Sequence, residues 1–496
     1  MGIVPKPCAL AFSRFGLGAR PGDLAKIGAD ARDFFASEVR QRAVAQPAGR
    51  DLVGTPAALA LLREESQRIG AAPASRPLAA APKANLSAAP MASSTSEAGA
   101  QGLNATPSPA IGAGLVEAPA TLATKQRPAP QRLYRAEAEA RLQVALEADG
   151  GFVERLVWFW SNHFAVSAAK AQQTRATVGA FEREAIRPHV LGRFSDMLLA
   201  VEQHPTMLFY FDNQLSIGPN SPAGKTRNRG LNENLAREIL ELHTLGVEGG
   251  YAQKDVTQLA RILTGWTIVG PEGRLGHPGS FVFNVNWHEP GDHALLGKTD
   301  ANHGPEQGRD ALYDLARHPA TARFIGTKLA RYFVADEPPP HLVERIARVF
   351  RDTGGDLAEV SLALLHAPEA WTPEARKIRS PHEFLVAAFR LMGANGGELN
   401  QMLGALKALG QPLWTPPGPN GYPDTVDHWA SPVGLKTRLD IAARIGKRAE
   451  EFDPVAALDA ALGPLLSSET RQAVACAESR AQGLALALMS PEFQRR

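Results

Sequence analysis

The chain has 496 residues with 44% apolar and 21% charged side chains, enough to bury a large core and build two or three domains. Lys plus Arg total 53 against 51 acidic residues, a net charge of +2, so no global field draws the chain to nucleic acid or anionic lipid. Two cysteines, Cys8 and Cys476, cannot make a zinc ribbon or a disulfide framework and read as inert thiols.

Residues 1–67 read as an N-terminal helical segment packing on the body, with Pro21-Gly22-Asp23 opening a helix. Met1–Cys8 is proline-containing, and the apolar stretch Cys8–Phe12 is too short for the core of a secretory signal. No run is long enough to span a bilayer, which makes the cytoplasm the expected compartment. From 68 to 132 the chain is dominated by Ala, Pro, Ser and Gly, and no aromatic residue occurs between Phe35 and Tyr134. Such a segment buries too little apolar area to offset its ordering entropy, so a flexible insertion is expected.

Residues 133–496 form the helical body, an all-α expectation with one small β-ribbon near 281–297. Tyr134–Asp149 is rich in strong helix formers and ends at Gly150-Gly151. Phe152 to Phe164 carries two adjacent apolar stripes and is expected to be buried on most sides. Arg175–Arg187 is a further helix, stopped by Pro188. A long loop at 214–231 holds Lys225, Arg227 and Arg229. Asn232 then caps a helix running to about Leu245, stopped by Gly246. Phe281, Phe283, Val285 and Trp287 alternate with Val282, Asn284 and Asn286, the period of a half-buried strand. Helices resume near Gln307, and the prolines of 411–429 exclude a continuous helix there.

The densest polar constellation is Asn232-Glu-Asn-Leu-Ala-Arg-Glu238 with Glu241-Leu-His-Thr244. At roughly 100° per residue, Asn234, Glu238 and Glu241 share one helix edge, with Arg237 beside them and His243 on the apolar side. Glu238 and Glu241, with Asp212 brought near by the loop, are candidate oxygen ligands for a divalent cation. The same pair could share acid–base work if burial separated their pKa values. Glu233, Arg237 and Glu241 also fit an ordinary surface ion-pair ladder, and a histidine on an apolar face is more often a satisfied core residue. His163, at the end of an apolar helix, is a candidate ligand or general base, or a buried ring bonded to a backbone carbonyl. His288, Glu289, Asp292 and His293 form a local cluster of metal-capable groups whose spacing matches no standard site. The aromatic, proline-rich stretch with Trp414, Tyr422 and Trp429 can stack on a sugar or fold back as a lid.

These motifs together resemble a bacterial family catalogued as domain of unknown function 1800. The resemblance is carried by Phe12-x-Arg14-Phe15-Gly16, Trp160-x-Asn162-His163-Phe164, the Asn232–Thr244 segment and Leu263-Thr-Gly-Trp266. His288, Gly291, Leu296-Gly297, Ser380-Pro-x-Glu383-Phe384 and Pro416-Pro417…Gly421-Tyr422…Trp429 extend it. It brings no activity. It implies export, against the cytoplasmic expectation, and a possible partner in the product of a neighbouring sulfatase-like gene. Glu289 stands where the family pattern has Asp, which weakens the His288 cluster as a metal site.

Two functions follow from this reading. The first is a hydrolase-like enzyme with Glu238, Glu241, His243 and His163 as catalytic groups and Asn232, Asn234, Arg237, Trp414 and Tyr422 on the substrate. The second is a non-catalytic binding or assembly protein for a cell-envelope polymer or a partner protein, using the 411–429 loop.

Overall fold

The computed structural model describes residues 6–27, 30–49, 51–71, 127–227, 230–301, 303–372, 374, 377–393, 399–448 and 452–496. The expected insertion at 68–132 thus falls largely outside the described residues. The chain is 62% helical, with two small antiparallel strand pairs among the described residues. None of the described helices is long and apolar enough to cross a membrane.

The centre of the molecule is the helix Phe152–His163, ten of whose twelve residues are buried. Its first turn has no side-chain cap of its own, because Gly151 precedes it with a left-handed φ of 86°. The carboxylate of Glu38, on the helix Ala31–Arg40, instead accepts from the backbone N–H groups of Gly150, Gly151, Phe152 and Val153 at 2.9–3.4 Å. A carboxylate satisfies those orphan donors and opposes the positive end of the helix dipole. The N-terminal segment is therefore tied to the central helix by a polar contact as well as by apolar packing. Phe15 supplies the packing, lying 5.9 Å from Phe152 and 5.0 Å from Trp371, ring centre to ring centre. Arg14 beside it is fully buried and donates to the carbonyls of Ala370, Thr372 and Glu374 at 2.6–2.8 Å. Cys8 is buried and Cys476 exposed, with no disulfide between them.

Two helices depart from the regular period expected of them. The first runs as α-helix over Gln172–Phe181, widens to a π-helical turn over Glu182–Ile186 and closes as a short 3-10 turn at Arg187–His189. The second is α-helical only over Asn234–Glu238, then π-helical over Ile239–Thr244. Thr244 Oγ donates to the Ile239 carbonyl at 2.6 Å, an i to i−5 contact. The first widened turn buries Glu182 and the second buries His243 and Thr244, and π turns of this kind concentrate at functional positions.

The strand expected from Phe281 to Trp287 is shorter than the alternation suggested. Phe281–Phe283 pairs with Trp266–Ile268, while Asn284 to Trp287 turns back through a bond from Trp287 N to the Asn284 carbonyl. A second pair, His293–Leu295 with Lys298–Asp300, completes the β content. The partner strand at Trp266 had no alternation of its own to reveal it.

Candidate functional site

The polar groups of the Asn232 segment divide between the interior and the surface. Asn232 donates through Nδ2 to the Phe211 carbonyl at 2.8 Å and accepts from Asn234 N at 3.0 Å, while the Asn234 side chain stands exposed. Arg237 meets Glu233 at 3.4 Å and Gln253 at 2.9 Å, the ion-pair ladder of the sequence, but Glu241 leaves that ladder and accepts from Tyr251 Oη at 3.4 Å. Glu238 is half-buried, and burial raises its carboxyl pKa, with His243 opposing and Glu241 adding to the rise. Asp212 sits in a left-handed conformation with its carboxylate on Lys170 at 2.7 Å, both partly open to solvent. Among the described residues no three His, Cys, Asp or Glu side chains converge as a metal-binding set. Asp212, Glu238 and Glu241 are thus not gathered into a ligand cage.

His243 and His163 lie deeper. His243 Nδ1 is 2.7 Å from Glu202 Oε1, and both side chains have no exposure at all. His163 Nε2 donates to the His243 carbonyl at 3.1 Å, the backbone-bonded arrangement, and burial holds its pKa well below the ordinary value, so the ring is neutral. Glu202 is absent from the sequence reading. A lone glutamate ending the apolar helix Phe194–Glu202 was the only trace of it.

The His288 cluster clamps a loop. His288 Nδ1 donates to the Thr264 carbonyl at 3.0 Å, Glu289 N donates to Thr264 Oγ at 2.7 Å, and Glu289 Oε2 accepts from Asn220 N at 2.9 Å. The Leu263-Thr-Gly-Trp266 motif is the other half of that clamp.

A different region gathers what the sequence left scattered. A cleft of about 90 Å³ lies between the central helix, the helix Pro381–Leu391 and the 411–429 loop. Trp158, Asn162, His382, Trp414, Tyr422 and Trp429 line it, with Arg141, Lys377, Glu383, Asp424 and Arg496 as its charged groups. The loop docks through a reciprocal amide pair: Asn162 Nδ2 donates to the Tyr422 carbonyl at 2.9 Å, and Tyr422 N donates to Asn162 Oδ1 at 2.7 Å. Gly421 just before it has a φ of 77°, and a Cβ there would collide with the Asn162 backbone.

Arg141 and Ser161, which line the cleft, belong to a buried ion-pair network. Arg141 Nε meets Glu182 at 2.8 Å, Arg187 bridges Glu154 at 2.7 Å and Glu182 at 3.0 Å, and Ser161 Oγ donates to Glu182 at 2.7 Å. Burial opposes ionisation of Glu182, but Arg141 and Arg187 overcome it and hold the carboxyl below its usual value. The indole N–H of Trp414 donates to the same carboxylate at 3.3 Å, and the Arg141 guanidinium lies 5.6 Å from the Trp414 ring centre and 5.3 Å from that of Trp158. His382 stacks on Trp158 at 4.0 Å, and burial keeps it neutral, well below its ordinary pKa.

The floor is set by a capping box. Ser380 Oγ accepts from Glu383 N, and the Glu383 carboxylate accepts from Ser380 N at 2.8 Å. That carboxylate also meets Arg155 at 2.6 Å and Arg496 at 3.0 Å; burial would raise its pKa, yet the two guanidinium groups bring it down to about 2. Lys377 Nζ donates to Asp336 and to the Asp424 carbonyl. The Asp424 carboxyl goes the other way, pushed up by burial against the pull of Lys377 and Lys328. Of the predicted residues, the cleft includes Trp414 and Tyr422; Asp212, Asn232, Asn234, Arg237, Glu238, Glu241, His163 and His243 do not line it.

Residues 10–495 match the family described as Protein of unknown function (DUF1800). The chain belongs to this family. Neither a curated protein nor a solved structure matches it. In this DUF1800 chain the motifs behind the resemblance divide by geometry. Arg14-Phe15-Gly16 and Thr264-Gly-Trp266 pin backbone segments together, whereas Asn162, Ser380, Glu383, Pro416, Tyr422 and Trp429 all border one cleft.

Proposed function

We propose that this DUF1800 protein binds a sugar unit of a cell-envelope polymer in the cleft closed by the 411–429 loop. The supporting observation is the convergence on one concave surface of half-buried Trp414 and Tyr422 with Trp158, Trp429 and the Asn162 amide, drawn from two separate stretches of chain. Aromatic faces with few polar groups between them suit the apolar faces of a pyranose ring. Glu383, the carboxylate of the cleft floor, is held by Arg155 and Arg496, which favours holding a ligand over transforming it. The test is a titration with soluble envelope polysaccharide fragments followed by tryptophan fluorescence. Trp414→Ala should weaken binding by ~10-fold or more, while the Glu238→Gln, Glu241→Gln double variant binds as the parent does. The reverse pattern removes the proposal.

A hydrolase-like reading centred on the 232–246 helix has one observation in its favour. Glu238 is a half-buried carboxyl with a raised pKa, one residue before a π-helical turn, which is the combination a general acid needs. In that reading Glu241 and Tyr251 are its neighbours, and a divalent cation would have to draw further ligands from the substrate. Loss of hydrolysis of the same fragments in Glu238→Gln, with binding retained, is its expected signature.

A further inference from the structure

The cleft's aromatic walls and its floor differ in chemistry, and the floor is unbalanced. Four guanidinium groups, those of Arg155, Arg379, Arg438 and Arg496, are each no more than 3% exposed and surround one carboxylate, Glu383. Lys377, 2% exposed, and Lys328 stand on the Asp424 side, with Asp336 at the edge of the pair. Six cationic side chains thus stand against three side-chain carboxylates, and of the six Lys377 and Arg496 line the cleft. Arg379 and Arg496 each leave one buried Nη1 without a hydrogen-bond partner.

Burying uncompensated charge is costly, and a fold retains it where an opposite charge arrives from outside. The surplus weighs on its own members: burial is the largest cause that lowers Lys377 and Arg496, with like-charge neighbours adding to it, and Arg379 falls to about 9. Both Lys377 and Arg496 line the cleft, as does Tyr332, whose ring centre lies 5.4 Å from the Arg496 guanidinium. Lys377 already meets Asp336 and Arg496 already meets Glu383, and these two carboxylates do not neutralise the set. In the network behind Arg141 the Arg141 and Arg187 charges are matched by Glu182 and Glu154, so the surplus is local to the floor.

Resting on the reading that this cleft takes a sugar, we infer that the bound saccharide is anionic, its carboxylate or sulfate ester lying over the Lys377–Arg496 floor while its ring stacks on Trp414 and Tyr422. Carboxylate and sulfate share the property the floor selects, an oxyanion on a ring substituent, and the floor does not distinguish them. A neutral saccharide would leave the surplus unanswered.

The experiment compares three soluble probes on the full chain by tryptophan fluorescence and calorimetry: oligogalacturonate, dextran sulfate oligomers and neutral dextran oligomers. Either acidic probe should bind at least ~10-fold more tightly than neutral dextran, with an affinity that falls as salt rises. Trp414→Ala should weaken the acidic probe, and Lys377→Gln should bring it down to the neutral level. Should Lys377→Gln not fold, the three-probe comparison on the parent chain decides alone. Equal binding of neutral and acidic probes overturns the anionic inference and leaves the cleft reading standing. Binding of none of the three overturns both. Acidic binding indifferent to Trp414→Ala puts the anion elsewhere and overturns the inference as well.

Discussion

Glu202 and His243 illustrate what a single contact contributes at the residue scale. Their 2.7 Å bond is sealed from solvent on every side, so removing the carboxylate strands a buried imidazole among Phe164, Phe211 and His163. Glu202→Ala should cost about 3 kcal/mol in urea denaturation, whereas the exposed Asp212–Lys170 pair removed by Asp212→Ala should cost under ~1 kcal/mol. Equal losses would show that the buried pair is not the anchor of the π-helical turn. Sequence exposed His243, placed on the apolar side of its helix by simple periodicity, but not Glu202, 41 residues earlier on another helix. Pairings across such distances leave no local period to read.

The sign of the pH dependence also belongs to individual residues. Glu383 has its carboxyl at about 2 in the fold against 4.5 as the ordinary value. A depressed carboxyl contributes stability that is complete above the ordinary value and lost as pH falls through the folded one. Glu182 is shifted in the same direction, and Glu38, raised by burial, carries the opposite sign. The thermal midpoint should therefore hold above about pH 5 and drop between about 4.5 and 2. A midpoint that rises through that interval would contradict the Arg155–Glu383–Arg496 arrangement.

At the scale of elements, local rules accounted for starts and stops better than for register. Pro381 inside the first turn and Ser380 and Glu383 three apart give a capping box, and the helix begins there. Ser380→Ala should cost about 1 kcal/mol by the same denaturation assay, the usual price of a lost cap. Regular α-periodicity put Glu238 and Glu241 on one edge, and the widened turn after Glu238 redirected Glu241 toward Tyr251. The strand was overextended for a related reason: alternation through Val285 and Trp287 continued past the residues that had a partner to pair with. The loop beside the cleft depends on a glycine. Gly421→Ala, at a φ of 77° and against the Asn162 backbone, should undock the loop and raise its protease sensitivity. Unchanged proteolysis would mean that the Asn162–Tyr422 amide pair does not hold it.

For the molecule as a whole, one large apolar cluster of the described residues runs from Cys8 to Phe493, and Ala58, Leu133 and Ala176 form a small second one beside the flanks of the Ala/Pro-rich stretch. The flanks of the stretch already meet: Ala129 N donates to Glu65 Oε2 at 2.6 Å, on the helix Thr55–Ala71. Replacing residues 72–126 by a short Gly/Ser linker should therefore leave the unfolding free energy within ~0.5 kcal/mol of the parent. A large loss would assign that stretch a place in the fold.

Composition, helix formers, prolines and glycine breaks by themselves determined a mainly helical chain, because those properties act over a few neighbouring residues, and short motifs such as Trp160-x-Asn162-His163-Phe164 carried the family resemblance. Trp414 and Tyr422 could be singled out in the same way, as aromatics in a proline-rich loop. Only the tertiary structure decided that they face Asn162, His382 and Lys377 across a cleft, that Glu202 holds His243, and that Asp212 answers to Lys170. Such pairings depend on where distant helices cross, and crossing geometry is set by side-chain packing across the whole core.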